Sequence, residues 1–466
     1  MTDLKSLTQQ AQALKAAGRL DDAIRCYRQA ATAFPRSGVA EHNLGAALGD
    51  AGRHPDAVKH LQQALAKGVD AAETWLALAR SLLQLGRLDD AESHYLQALR
   101  RKPELASAHH ELAQLRWMRS GDRDAALAAV DQAIARTPNA PGLHLLRARI
   151  LEYTGDLDAA LEALRRALSR WPDAAPLLIS ASHLAVMTGR AEEGLVLAEQ
   201  VLARHSDDRV ALTAVAYACL ASGAAARAAE VAARLHAAHP LDQSALALLD
   251  TAWRLLGDAR HERLYDYASL VRSYRLNAPS GWPDLDAYLQ DLASALLALH
   301  PFQTHPFGQS VRHGSQVADV TRAEAPAIQA LEEALAEAID AHLVHLGSGE
   351  DPLRSRNTGR WRIHGIWSVR LTPGGFHANH VHPDGWISSA CYIALPVTVT
   401  EPSSDRAGWI QFGEPGMPTQ PVLEAEHMVQ PEPGTVVLFP SYMWHGTRPF
   451  GGSEPRLTVA FDVVPD

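Results

Sequence analysis

Three histidines fall within six residues of this 466-residue chain, at His377, His380 and His382, just ahead of an apolar, strand-like run at residues 387–395. In an extended segment successive side chains alternate faces, so His380 and His382 point one way and Val381 the other. Two imidazoles side by side at the lip of a strand are two thirds of a facial metal site. His445, shortly after a β run at residues 435–439, offers a third ligand. His377 and Asn379 read as turn residues outside the ligand set. Eleven residues beyond His445, Arg456 opens another strand-like run, with Thr458 two residues on and therefore on the same face.

Such residues need a β framework, and the texture of the chain turns to β after Arg354. Residues 361–371 alternate in polarity, and the runs already described and Trp409-Ile-Gln-Phe412 follow. Short strands separated by Pro and Gly turns indicate a sandwich or jelly-roll barrel. Residues 284–299 and 326–346 read as amphipathic helices that buttress the sheet, with Pro326 suited to a first helical turn. Five of the ten tryptophans fall in this region: Trp361, Trp367, Trp386, Trp409 and Trp444. Most are expected in the core, while Trp386 and Trp444 flank the proposed ligands and are candidates for the substrate mouth.

The first 260 residues are a repeat array. Glycine recurs at Gly18, Gly52, Gly86, Gly121, Gly155, Gly189, Gly223 and Gly257, in steps of 34 or 35 residues. Alanine follows five residues later at Ala23, Ala57, Ala91, Ala126, Ala160 and Ala228, with Gly194 the exception. A second small position runs Gly45, Ala79, Ala113, Ala148, Ser182 and Ala216, and prolines such as Pro35, Pro103 and Pro138 end units. The glycine permits a tight turn between two helices, the small residues let them approach, and the proline cannot continue a helix. This pattern is similar to the tetratricopeptide repeat. The eighth unit decays, with Asp250 at its small position, which suits a capping or docking role. In the family register Arg80, Arg149, His183 and Tyr217 face the concave groove, and a mildly basic, aromatic groove would favour an acidic peptide.

The order His-x-ligand, Tyr-bearing strand, distal His, Arg-x-Ser/Thr resembles the iron(II)- and 2-oxoglutarate-dependent oxygenases. Within them it is closest to a prolyl-hydroxylase-like branch with a His-x-His-Pro motif; residues 306–316 and Ser388-Ser-Ala-Cys-Tyr392 agree. The resemblance covers roughly residues 280–466. It implies Fe(II) on His380, His382 and His445, and 2-oxoglutarate on Arg456, Thr458 and Tyr392, with Arg448 a rival anion binder. A guanidinium fork gives a carboxylate two parallel charge-assisted bonds, which lysine cannot reproduce. The family commonly has a carboxylate where His382 stands: either this branch accepts imidazole there, with one less negative charge at the site, or His382 stands behind the ligands and water fills the position. The implied reaction decarboxylates 2-oxoglutarate to succinate and hydroxylates an unactivated C–H bond.

The expected chain is thus multidomain α + β. An α-solenoid of tetratricopeptide repeats at 1–270 precedes a double-stranded β-helix (jelly-roll) oxygenase domain at 271–466. The expected enzyme is a 2-oxoglutarate-dependent dioxygenase acting on a peptide or protein held in the repeat groove, with Trp386, Trp444, Arg80, Arg149 and Tyr217 as candidate substrate contacts. Two other readings stay open: a repeat scaffold with an inactive oxygenase-like domain, and a 2-oxoglutarate-independent three-histidine dioxygenase. A net charge of −10 argues against nucleic acid as the main partner. No apolar run approaches the roughly 18 residues of a membrane span. The first twenty residues lack an apolar signal-peptide core. Cys26, Cys219 and Cys391 form no CxxC pair and are expected as buried free thiols in a reducing, cytoplasmic setting.

Overall fold

The computed structural model describes residues 3–401 and 405–466. They form two compact units, one of Met1–Trp117 with Asp122–Thr154 and one of Met118–Gly121 with Gly155–Asp466. The later repeats and the β domain therefore share a unit. Among the described residues, no helix is long and apolar enough to cross a membrane.

Between Leu4 and Ala238, fourteen helices follow one another in seven pairs. The recurring glycine lies in the link within each pair and in the left-handed region, with φ of 75° at Gly18 and 91° at Gly155. A side chain there would strain the backbone, which explains the period. The one departure from alanine is explained by its partner. Ser182, the largest residue at that position in the first seven units, donates its hydroxyl to the Gly194 carbonyl at 2.7 Å. A Cβ on Gly194 would come within 2.9 Å of the Ser182 carbonyl oxygen. One position grew and the facing one shrank.

The last repeat helix, Gln243–Leu256, is a capping helix whose partner is only the short Arg260–Leu264. Asp250 is buried there because His261 donates to it at 3.0 Å. The other ring nitrogen of His261 lies 3.3 Å from Glu426, which also takes Arg254 at 2.9 Å and the Tyr267 hydroxyl at 2.7 Å. The decayed repeat is thus a polar junction with the β domain.

That domain contains β1 (Arg272–Arg275), β2 (Val311–Ala318), β3 (Trp361–His377), β4 (Ile387–Ala394), β5 (Ile410–Phe412), β6 (His427–Val429), β7 (Thr435–Pro440), β8 (His445–Thr447) and β9 (Arg456–Pro465). A six-stranded sheet has the order β1-β7-β4-β9-β3-β2, and a three-stranded sheet the order β6-β5-β8. All pairings are antiparallel, as in a jelly roll. The helices Leu285–Leu297 and Leu331–Leu346 bury apolar faces in the same core as β4 and β7. The helix expected at 326–346 is broken at Ala330 into Pro326–Gln329 and Leu331–Leu346.

Burial alone would lower the pKa of His261, but its bonds to Asp250 and Glu426 raise it to about 9. Arg254 and Tyr267 also contact Glu426, and the Tyr265 ring lies 5.4 Å from that of His261. A histidine raised on folding adds stability that is complete below its unfolded pKa of about 6.5 and is lost as pH rises through its folded value. The melting temperature of the full chain should therefore fall between pH 7 and pH 10. In His261→Gln it should be lower at pH 7 and fall less over that range. Equal slopes in calorimetric pH series would show that the junction does not depend on this charge.

Candidate metal centre

His380, His382 and His445 converge, each offering a ring nitrogen within 4.8 Å of the others. Their ring centroids are 5.1, 4.3 and 5.1 Å apart for the 380–382, 380–445 and 382–445 pairs. The expectation that His380 and His382 lie at the lip of a strand needs correction. β3 ends at His377 and β4 begins at Ile387, leaving the ligand segment as an irregular connection. Its register comes from one isolated bridge: His380 N–H donates to the His445 carbonyl at 2.9 Å, and His445 N–H to that of His380 at 3.0 Å. Gly446 makes this approach possible, since a Cβ there would lie 2.2 Å from Asn379 Oδ1 and 2.8 Å from the His377 carbonyl.

Each ring is tied through Nδ1. His380 donates to the Ala378 carbonyl at 2.9 Å, His445 to the Met443 carbonyl at 2.9 Å, and His382 to Asp462 Oδ1 at 2.6 Å. The Nε2 lone pairs are therefore those left to face a metal, and Nε2 of His382 lies 3.1 Å from that of His380. Burial, and next the neighbouring His382, push His380 down to about 3, and burial holds His445 well below the usual imidazole range. Both are neutral donors at neutral pH, as metal ligation requires. The Asp462 carboxylate, fixed by the Ser388 hydroxyl at 2.7 Å, places a negative charge directly behind His382. The sequence reading missed Asp462. Its signal was an even spacing from Arg456 and Thr458, which puts all three on one face of β9.

Arg456 is buried, 2 % exposed, and Tyr392 is fully buried beside it, with the guanidinium carbon 5.3 Å from the ring. Tyr392 pairs in register with Thr458 across β4 and β9. One guanidinium nitrogen donates to the Gly408 carbonyl, but Arg456 has no carboxylate partner among the described residues. Its Nε and the Tyr392 hydroxyl are buried without hydrogen-bond partners. A buried cation facing no anion is costly, and a ligand carboxylate would satisfy both groups. Arg448 is exposed, unlike Arg456.

Other expectations fare differently. Trp386 and Trp444 are core residues and not a mouth: Trp386 Nε1 donates to the Leu353 carbonyl and Trp444 Nε1 to Thr251 Oγ1, both at 2.9 Å. The half-buried Trp367 is the tryptophan against the histidines, 5.5 Å from the His382 ring. His377 ends β3 instead of lying on a turn, stacks on His380 at 6.1 Å and lies 3.0 Å from the Ser310 hydroxyl. Arg80 is not available as a basic groove residue, because its fork is taken by Glu111 at 2.9 Å, with Tyr95 donating to the same carboxylate. Arg149 is exposed, and Tyr217 is half-buried 6.3 Å from the His183 ring. Cys26, Cys219 and Cys391 are buried free thiols.

Two antiparallel sheets closing on three histidines, with helical repeats before them, define a repeat protein with a C-terminal jelly-roll metal domain. The comparisons name both parts. A family model described as "Putative 2OG-Fe(II) oxygenase" matches residues 365–462, a span holding all three histidines, Arg456 and Asp462. Tetratricopeptide-repeat models match residues 5–37, 42–106 and 115–175. The chain thus carries tetratricopeptide repeats in its N-terminal part and, C-terminal to them, a segment that matches the oxygenase family model. No curated protein matches it significantly. Among solved structures, a tetratricopeptide repeat protein from Parabacteroides merdae is 18% identical, covering 53% of this chain and 98% of that one at a TM-score of 0.38. The C-terminal part of a repeat protein from Cytophaga hutchinsonii is 13% identical, covering 52% and 99% at 0.37, and MamA 22% identical, covering 35% and 94% at 0.29.

Calorimetric titration of Mn(II) or Co(II) tests the ligand set. His382→Ala should lose affinity as severely as His380→Ala, and His382→Asp should retain binding. Asp462→Ala should keep the three imidazoles and lose about 10–100-fold. Wild-type affinity in His382→Ala would remove that residue from the set.

Proposed function

We propose that the C-terminal domain is an iron(II)- and 2-oxoglutarate-dependent oxygenase that hydroxylates a side chain of a peptide or protein bound by the repeats. His380, His382 and His445 hold the metal; Arg456, Thr458 and Tyr392 hold the 2-oxoacid. The observation that carries this reading is the buried Arg456 guanidinium with no carboxylate opposite it among the described residues, in the same barrel as the three converging histidines. When bound, iron(II) with 2-oxoglutarate and dioxygen supplies the oxidant for an unactivated C–H bond. The chain's own residues do the rest. Asp462 fixes the His382 tautomer and offsets metal charge, while Arg456 takes the distal carboxylate and orients the 2-oxoacid. Phe439, 4.6 Å from His445, and Phe412 wall one side of the site with apolar surface and keep water out. The repeats make a peptide or protein the substrate class, since such arrays bind partners through their surfaces.

The absence of a carboxylate among the converging ligands favours one second reading, a three-histidine dioxygenase that needs no 2-oxoglutarate. Incubation with Fe(II), 2-oxoglutarate and a peptide library separates the two. Succinate formation with a mass gain of one oxygen on a peptide supports the proposal. Oxygen uptake indifferent to 2-oxoglutarate supports the second reading, and no turnover of either kind would make the domain an inactive scaffold. Arg456→Ala should weaken 2-oxoglutarate by about 2–5 kcal/mol, on the order of 30-fold or more, with metal affinity nearly intact. An unchanged 2-oxoglutarate titration would take Arg456 out of the site.

A further inference from the structure

The capping helix touches both segments that carry the histidines. At its start, Gln243 N–H donates to the carbonyl of Pro383, the residue after His382, at 3.0 Å. Two turns on, Thr251 Oγ1 accepts from the indole of Trp444, the residue before His445, at 2.9 Å. Thr251 and Trp444 are both buried, 2 % and 4 % exposed. The eighth repeat grips the second segment again beyond the helix. Tyr265 Oη accepts from the Trp444 N–H at 3.1 Å and donates to the Tyr442 carbonyl at 2.9 Å, while the Tyr442 hydroxyl donates to the Leu264 carbonyl at 3.1 Å. Between these pinned residues lies the Met443 carbonyl, the group that orients the His445 ring.

Eight residues of α-helix span about 12 Å and do not stretch. A helix bonded at one end beside His382 and further on beside His445 therefore acts as a ruler between the two ligand segments. Nothing else in the repeat pattern calls for a buried threonine there: the corresponding residues of earlier units, one after the small position, are Ala46, Arg80, Gln114, Arg149, His183 and Tyr217.

We propose that the capping helix is a positioning element of the metal centre, with Thr251, through Trp444, fixing where His445 stands relative to His380 and His382. The eighth repeat is then part of the catalytic machinery's frame, and Thr251 a positioning residue. This rests on the metal-site reading above.

The test uses the full-length chain and Co(II) as probe, reading affinity by titration and ligand geometry by the visible d–d absorption. Thr251→Val keeps the volume and removes the acceptor. It should bind Co(II) on the order of 10-fold more weakly with an altered spectrum, while Thr251→Ser, which restores the hydroxyl, returns both toward wild type. Thr213→Val, the same substitution at a different position of the preceding repeat's first helix, where the hydroxyl donates to the Arg209 carbonyl of its own helix, should leave both unchanged. Melting followed by circular dichroism confirms that each variant is folded. A folded Thr251→Val with wild-type affinity and spectrum overturns the proposal and leaves the metal site standing. Failure of Co(II) to bind the wild-type chain any better than His380→Ala would overturn the metal site and this proposal together.

Discussion

The site depends on a single backbone bridge. Two hydrogen bonds between His380 and His445, residues 65 positions apart, join the irregular segment after β3 to the first residue of β8. Antiparallel bridge partners lie close enough for their side chains to meet, which is why these rings approach to 4.3 Å. The bridge also links the two sheets, because β3 belongs to the six-stranded one and β8 to the three-stranded one. Closing the barrel and assembling the histidines are one event. Gly446 is its local requirement, as any Cβ there would hold the strands apart.

Charge is arranged around that bridge by a carboxylate placed behind the cluster. The three converging groups are all imidazoles, with no carboxylate among them. The carboxylate sits one bond further out, on Asp462, at 2.6 Å from the far nitrogen of the His382 ring. Strand β9 carries both charges on one face: Asp462 backs a histidine, and Arg456 lies six residues earlier without a carboxylate partner among the described residues.

The repeats contribute more than a surface. Their last helix bonds to the β domain through Thr251 and Arg254, while Asp250, where earlier units have a small residue, meets His261, whose other nitrogen reaches Glu426. A buried aspartate is tolerated only because His261 and its neighbours neutralise it. The departure from pattern is the signature of docking.

Local rules made much of this legible in advance. A glycine needing φ > 0 and small residues where helices touch must recur with the repeat, so the array could be read from spacing, and strand alternation placed Arg456 and Thr458 on one face. The three histidines could be grouped by residue type and chain order. Other features depend on pairing between distant segments, and no local pattern encodes them. Trp386 and Trp444 look the same in sequence as Trp367, yet only Trp367 lies against the site, because Leu353 and Thr251 claim the indoles of the other two. Arg80 reads as a free cation until Glu111, 31 residues away, meets it. Sequence by itself determined the periodicities, and with them the repeats, the strands and the residue types of the site. Tertiary structure alone decided which polar atoms are already partnered, because hydrogen bonds are satisfied across space, and only the groups left over can bind a ligand.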